Sequence, residues 1–425
     1  MLTRRAYIKN LGTLTASVLL SQNLFGRNLS KKVVLLRSSW QTVNIGDIGH
    51  TPGVLALLEK HLPDVEVRLW PMSINNGVEP MLRKRFPQVK IVQGEADLAR
   101  AWQESDFLLH GSGPSLVAAK DIARWKEETG KPYGIYGITF PGFYGPPTSG
   151  QEAALTKNIE LLTTAQFCYF RDSISLHFAQ EHGARCPVME FGPDGAFAVD
   201  LRNDGAAEQF LKQHDLEPGK FLCAIPRQRY TPWWELPEKK AKFDERKNAR
   251  NEEMREHDNA PIREAIIEVV RQTSMKVLVC PEDGTQVKLG KQIIMDKLPQ
   301  DVRKKVIWKD TYWLTDEAVS TYRLSAGLFG LEMHSPIMCI GNGIPALVGR
   351  FEEQTSKGVM WKDIGLDEWY FDVDKPEDVK RILPAVLALA KNPEEAKQKA
   401  LDAKVRVDAL FSASMRKLAD ELNHR

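Results

Sequence analysis

A glutamate and a histidine two residues apart, Glu332 and His334, stand where the apolar run Gly327–Leu331 gives way to Ser335-Pro336 and a second apolar run that ends at Gly343. Ser335 and Pro336 suit the first turn of a helix, where a missing N–H is harmless, and Gly343 suits the exit. The pair therefore lies between the C-terminal end of a strand and a helix N-terminus. In open α/β sheets this is where ligands bind, and free N–H groups there favour anions. An imidazole at such a point is a candidate general acid or base, and the neighbouring carboxyl a second working group.

The same reasoning at other strand ends collects further groups. Asn44-Ile45-Gly46-Asp47 follows the first strand, with His50 as an extra titratable residue. Asp47 can accept a hydrogen bond from a ligand hydroxyl or act as a base, or else tie down its own turn. Thr51-Pro52 reads as the cap and opening of the next helix. His110-Gly111-Ser112-Gly113 forms a glycine-bearing turn after the fourth strand, which lets backbone approach a ligand closely. Arg227 and Arg229 end the first strand of the second half. They suit bidentate capture of carboxylate or phosphate, or snorkelling at a strand end. Glu282 and Asp283 end the following strand, and Lys357 adds a cation. No His/Asp/Glu set has metal-ligand spacing along the chain, so no metal is assumed. The five cysteines are scattered and without CxxC spacing, as small core residues would be.

The elements that must position these groups alternate regularly. Strands are expected at Val33–Arg37, Val65–Trp70, Val89–Gln93, Phe107–His110, Tyr133–Ile138, Phe167–Phe170 and Val188–Phe191. A second series is expected at Phe221–Ile225, Val277–Cys280, Val306–Trp308, Gly327–Leu331 and Ala346–Gly349. Short apolar strands separated by amphipathic helices predict parallel sheets covered on both faces. The chain of 425 residues is long enough for two such α/β domains. The expected architecture is two Rossmann-like domains facing a cleft, at residues 31–200 and 220–375. A linker at 201–219 joins them, and C-terminal helices fill 376–425. The charged stretch Pro237–Asn259 is expected as a solvated helical insertion.

A formal net charge of +2 gives no electrostatic reason to expect nucleic acid. At the N-terminus, Thr3-Arg4-Arg5-Ala6-Tyr7-Ile8-Lys9 followed by the modest apolar stretch Leu11–Leu20 resembles a twin-arginine export signal. Residues 1–30 are therefore expected to be a targeting segment, and the protein periplasmic or secreted. No later run is apolar enough to span a membrane.

The segment from Glu332 to Lys357 resembles polysaccharide pyruvyl transferases, whose corresponding stretch reads Arg-Leu-His, a helix, Gly-x-Pro, a strand and then Lys. His334, Gly343, Pro345 and Lys357 match, while Glu332 holds the place of the arginine. Asn44, Gly46 and Asp47 match the family's Asn-x-Gly-Asp signature. His110 to Gly113 resembles its Gly-Gly-Gly turn, and Tyr136 to Gly142, Arg171-Asp172-Ser173 and Asp194 follow in the family's order. The resemblance implies a GT-B-like fold with its active site between the domains, and C-terminal helices that cross back to the first domain. It implies transfer of an enolpyruvyl unit from phosphoenolpyruvate to the hydroxyls of a poly- or oligosaccharide, giving a cyclic pyruvate ketal. A histidine then serves as general acid or base and cations hold the donor; phosphoenolpyruvate is a substrate and no cofactor is called for. Glutamate in place of arginine sets a negative charge near an anionic donor. At an effective dielectric near 20 such a contact at about 4 Å costs on the order of 4 kcal/mol. Two alternatives keep the fold. One is an exported glycosidase or ketal hydrolase using Glu332, His334 and Asp47; the other is a carbohydrate-binding protein.

Overall fold

The computed structural model describes residues 31–143 and 148–423; the segment read as an export signal lies outside them. The first sheet contains β1 (Val33–Ser38), β2 (Glu66–Pro71), β3 (Lys90–Ile91), β4 (Phe107–His110), β5 (Tyr133–Ile138), β6 (Cys168–Phe170) and β7 (Met189–Phe191). The second contains β8 (Phe221–Ile225), β9 (Lys276–Val279), β10 (Val306–Trp308), β11 (Gly327–Gly330), β12 (Ala346–Arg350) and β13 (Tyr370–Asp372). Every pairing within both sheets is parallel. The orders are 3-2-1-4-5-6-7 and 10-9-8-11-12-13. In each sheet the order reverses beside its first strand, so loops leaving β1 and β4, and β8 and β11, splay apart. A crevice opens at such a switch point.

Strand residues alternate between two cores because successive side chains point to opposite faces. Leu35, Leu108 and Ile135 feed one cluster with Trp125 and Phe170. Val34, Leu36, Phe107 and Leu109 feed a larger cluster, which continues through the strands of the second sheet. Four of the cysteines are buried and Cys186 is half-buried; all five are free thiols.

The two sheets are tied together at their facing loops. Asn44 pairs with Asp283 as an antiparallel bridge. The Ile45 N–H donates to the Glu282 carbonyl at 2.9 Å, and the Thr315 hydroxyl to the Ile45 carbonyl at 2.9 Å. The segment expected as a bare linker contains a helix, Asp204–Gln213, which buries Ala207, Phe210 and Leu211. The last helix, Pro393–Asn423, packs on both the Ile45–His61 and the His334–Gly341 helices. Its Ser414 meets the Tyr136 hydroxyl of the first sheet at 3.3 Å.

Close backbone approach at and beside this junction requires glycine. A Cβ at Gly341 would stand 1.8 Å from the carbonyl oxygen of Phe197, and one at Gly53 1.9 Å from that of Gly195. Backbone cannot swing aside as a side chain can, so Gly341→Ala forces the end of the His334–Gly341 helix away from the turn at Phe197. The expected loss is about 1–3 kcal/mol, the range for overpacking a well-filled interior, read as a shift in the denaturant midpoint.

Candidate functional site

The crevice is walled on one side by the N-terminus of the Ile45–His61 helix. Asn44 caps it, its side chain accepting from the N–H groups of Gly46 at 2.8 Å and Asp47 at 3.0 Å. Gly46 is needed here: a Cβ would stand 2.1 Å from the His334 Cβ. Asp47 and His50, three apart, share one face of this helix. His50 Nδ1 lies 2.8 Å from Asp194 Oδ1 and 2.9 Å from the Ser112 hydroxyl. Asp194 also takes the Arg171 guanidinium at 2.6 Å and the Ala196 N–H at 2.9 Å. The Gln41 amide donates to Asp47.

The opposite wall is the turn after β11. His334 opens the His334–Gly341 helix, with Nδ1 3.3 Å from Glu282. Glu282 is anchored by the N–H and hydroxyl of Ser335, both at 2.7 Å. Glu332 accepts from Arg227 at 2.5 Å and from Gln286 at 2.5 Å. Arg227 leaves β8, its N–H bonded at 3.1 Å to Asn259 of the Glu245–Gln272 helix. Across the crevice Asp47 Oδ1 stands 3.9 Å from Nε2 of both His50 and His334, and the two rings meet edge to face at 4.9 Å.

Buried polar atoms normally find partners. Here Nε2 of His50, Nε2 of His334, the Tyr312 hydroxyl, Asp283 Oδ2 and Gln41 Oε1 have none. The charges of this group act on one another. Burial works against ionisation of Asp47, yet His334, His50 and Lys357 outweigh it and hold the carboxyl below its ordinary range. Asp194 is held well below it, burial being overcome by His50 and Arg171. Burial and the neighbouring Glu282 charge push Glu332 up to about 7. Burial and the Glu332 charge do the same to Asp283, also to about 7. Burial and Lys357 depress His334 well below an ordinary imidazole, so it is neutral at pH 7. Lys357 has no hydrogen bond or ion pair among the described residues. Burial, with the Arg227 and Arg171 charges, lowers it to about 8.

Of the residues singled out in the sequence, Asn44, Asp47, His50, Ser112, Arg227, Glu282, Glu332, His334 and Lys357 converge on this crevice. Two do not join it as ligand-binding groups. His110 is fully buried under Trp40, its ring stacked at 4.8 Å and its Nε2 accepting from the Ala118 N–H at 3.3 Å. Burial takes its pKa down to about 3, leaving a neutral packing residue. Arg229 is fully buried among Asp258, Glu353 and Asp374 at 2.5 to 3.0 Å, where it braces the second domain and is closed to a donor anion. Thr51 is no helix cap: the helix begins six residues earlier, and the Thr51 hydroxyl accepts from the Ser39 N–H at 2.8 Å. Gln41, Gln286 and Tyr312 were not foreseen. Only Gln286 carries a sequence signal, four residues beyond Glu282 at a helix start. The expectation that no ligand spacing exists is also revised in space: Asp47, His50 and His334 bring one ligand atom each within 4.8 Å of one another.

An open cavity of about 470 Å³ lies beside the crevice, lined by Thr42, Val43, Gly284 and Tyr312 among others. A cavity of about 490 Å³ against the C-terminal helices holds none of the residues above.

Two Rossmann-like sheets, a crevice between their switch points and a returning C-terminal helix define a GT-B-like fold. Solved structures agree. A UDP-glucosyltransferase from Polygonum tinctorium superposes with a TM-score of 0.56 at 11% identity, covering 93% of this chain and 99% of its own. The UDP-GlcNAc 2-epimerase of Neisseria meningitidis gives 0.56 at 11% identity, covering 92% and 100%. The α,α-trehalose 6-phosphate synthase of Burkholderia multivorans gives 0.51 at 9%, covering 93% and 98%. None of the curated proteins matches the sequence. The polysaccharide pyruvyl transferase family model matches residues 44–348, and the chain belongs to that family.

Proposed function

We propose that this protein transfers a pyruvyl unit from phosphoenolpyruvate to two hydroxyls of a sugar in a poly- or oligosaccharide. The balance is simple. The two hydroxyl oxygens form bonds to the donor's C2, and the bond from C2 to the phosphate oxygen breaks. One hydroxyl proton ends on the former methylene carbon and the other on the phosphate, giving a cyclic ketal and inorganic phosphate. The observation that carries this reading is His334: a neutral imidazole whose Nε2 lone pair faces the crevice while Glu282 fixes its other nitrogen. It takes the proton of the attacking hydroxyl, and Asp47 opposite accepts a hydrogen bond from the sugar. Lys357 attracts the donor's phosphate or carboxylate. Glu332 is bound to Arg227 and Gln286, which offsets the charge reversal at the family's arginine position. Incubating the purified protein with phosphoenolpyruvate and candidate glycans should release phosphate and leave an acid-labile pyruvate on the sugar. No phosphate with any acceptor rejects the reading.

Lys357 gives donor binding a pH signature. Below about pH 8 the ammonium is charged and attracts the donor; as pH rises through about 8 it loses its proton. Of the groups that face it, Arg227 is held protonated above its ordinary value and Asp47 ionised below its own, while Glu332 completes its ionisation from about 7. Affinity for phosphoenolpyruvate should be highest near pH 6–7, then fall by up to about tenfold per pH unit above 8, as linkage requires. Calorimetric titration with wild type and Lys357→Met checks this, the variant losing both affinity and the break.

A second reading, hydrolysis of a glycosidic bond or ketal, is favoured by one feature. Asp47 is held ionised while Glu332 is pushed up to about 7, the division of states a base and an acid need. New reducing ends, or free pyruvate from a pyruvylated glycan, would select it. We place the protein outside the cytoplasm on the strength of Arg4 and Arg5. Replacing both with lysine should hold it in the cytoplasm, as read by fractionation. No helix among the described residues is long and apolar enough to cross a membrane.

A further inference from the structure

Asp47, His50 and His334 have the makings of a coordination site. His50 and Asp47 come from one face of a helix in the first half of the chain, and His334 from the first turn of a helix in the second. Each offers one ligand atom, and all three atoms lie within 4.8 Å of one another. Both imidazole Nε2 atoms are buried and without a hydrogen-bond partner, His50 being 0% exposed and His334 4%. A single unpaired nitrogen is no signal by itself, since buried His110 also leaves its Nδ1 without a partner. Here two adjacent rings leave the same nitrogen unsatisfied, and both nitrogens stand 3.9 Å from the same carboxylate oxygen.

The second nitrogen of each ring explains the orientation. His50 Nδ1 is 2.8 Å from Asp194, and His334 Nδ1 is 3.3 Å from Glu282. A carboxylate that accepts the Nδ1–H fixes the tautomer, turns the Nε2 lone pair outward and raises its basicity. This is the arrangement that backs metal-ligating histidines. Both carboxylates are themselves anchored, Asp194 by Arg171 and the Ala196 N–H, Glu282 by Ser335.

We propose that Asp47, His50 and His334 bind a divalent transition-metal ion, with zinc as the reference case, and leave at least one coordination position open to the crevice. Two imidazoles and one carboxylate are the donor set for such ions, whereas calcium and magnesium take oxygen ligands. Tetrahedral ligands about 2.0 Å from zinc stand roughly 3.3 Å apart, so separations of 3.9 Å to Asp47 and at most 4.8 Å overall close with shifts of under 1 Å per side chain. The open position would take a sugar hydroxyl or an oxygen of an anionic substrate. The inference rests on the three side chains and their carboxylates and does not depend on pyruvyl transfer; a metal on His334 Nε2 takes the lone pair that the base role uses, so the metal-loaded chain is expected to release phosphate more slowly than the stripped one.

The test is metal binding, separate from turnover. Protein stripped with a chelator is titrated with Co(II), followed by its visible d–d bands, and with Zn(II), followed by calorimetry. One ion per chain is expected, with intense Co(II) bands of a four- or five-coordinate nitrogen and oxygen site. His50→Gln and Asp47→Asn, which keep shape, should each weaken binding by about 100-fold or more. Asp194→Asn, which removes a supporting carboxylate, should weaken it about 10–100-fold. Circular dichroism and the melting temperature establish that each variant is folded, and a variant that fails to fold is replaced by His334→Gln. Octahedral aquo-like Co(II) spectra, or binding that the folded His50→Gln and Asp47→Asn variants retain, would overturn the proposal. Metal binding with no phosphate release leaves the site standing and rejects only the pyruvyl reading. Phosphate release by a chain that binds no metal does the reverse.

Discussion

His334→Ala is expected to lower turnover by about 100-fold or more, the scale on which a general acid–base group acts. The substitution removes the one imidazole that opens the His334–Gly341 helix and faces Asp47 across the crevice. It leaves Glu282 bonded to the Ser335 N–H and hydroxyl, so the helix start keeps its anchor. The fold should therefore persist, and the loss should fall on the rate of the chemical step more than on donor affinity, which Lys357 supplies. Phosphate release under saturating phosphoenolpyruvate, with circular dichroism as the folding control, makes the measurement. Glu282→Gln offers a graded comparison, because an amide can no longer take the Nδ1 proton's charge as a carboxylate does; a smaller loss is expected. Turnover near wild type in folded His334→Ala would remove this residue from the mechanism.

Arg229→Met is expected to cost about 3–5 kcal/mol of stability, the penalty for leaving buried charges without their partner. The guanidinium spans Asp258, at 2.8 and 2.9 Å, Glu353 at 3.0 Å and Asp374 at 2.5 Å, and it lies against the Phe351 ring at 5.2 Å. Its three carboxylates come from the long Glu245–Gln272 helix, from the loop after β12 and from the loop after β13. Methionine fills the volume but removes the shared guanidinium, leaving Glu353 to Arg250 at 3.1 Å and Asp258 to His257 at 2.8 Å. Lysine restores a single charge without the planar fork, so Arg229→Lys should recover only part of the loss. Urea denaturation measures the difference. A loss below about 1 kcal/mol together with weaker donor binding would return Arg229 to the pocket.

Much of this was legible in the chain. The apolar runs of the sheet interiors located the strands from β1 to β12 to within a few residues, because buried parallel strands carry continuous apolar sequence. β13 escaped because Tyr370–Asp372 is short and lies at the sheet edge, where the pattern is weak. The crevice residues were found at strand ends because a parallel sheet puts its loops there. The start of the Ile45–His61 helix was misplaced for a physical reason. Thr51-Pro52 has the chemistry of a helix start, but Asn44 caps first and Pro52 is carried inside the helix. Arg229 was misassigned because its carboxylates lie 29, 124 and 145 positions away, a range no local pattern spans. The charged stretch before Asn259 was read as solvated, yet its helix turns Asn251, Asp258 and Asn259 inward, where they hold the Arg227–Tyr230 loop. Single polar residues on one face of a charged helix leave almost no periodic trace.

The final helix, Pro393–Asn423, has a consequence for how the molecule is made. It packs against the Ile45–His61 helix, the first among the described residues, and Ser414 meets Tyr136 across 278 positions of sequence. A ribosome delivers residues from the N-terminus at about 5–20 per second, and domains fold as they emerge. The first half can form its sheet early, but one side of the helix bearing Asp47 and His50 gains its cover only when residues 393–423 appear. The packing behind the crevice thus comes together late in synthesis, and a chain cut short before Pro393 would lose the helix that packs on both the Ile45–His61 and the His334–Gly341 helices.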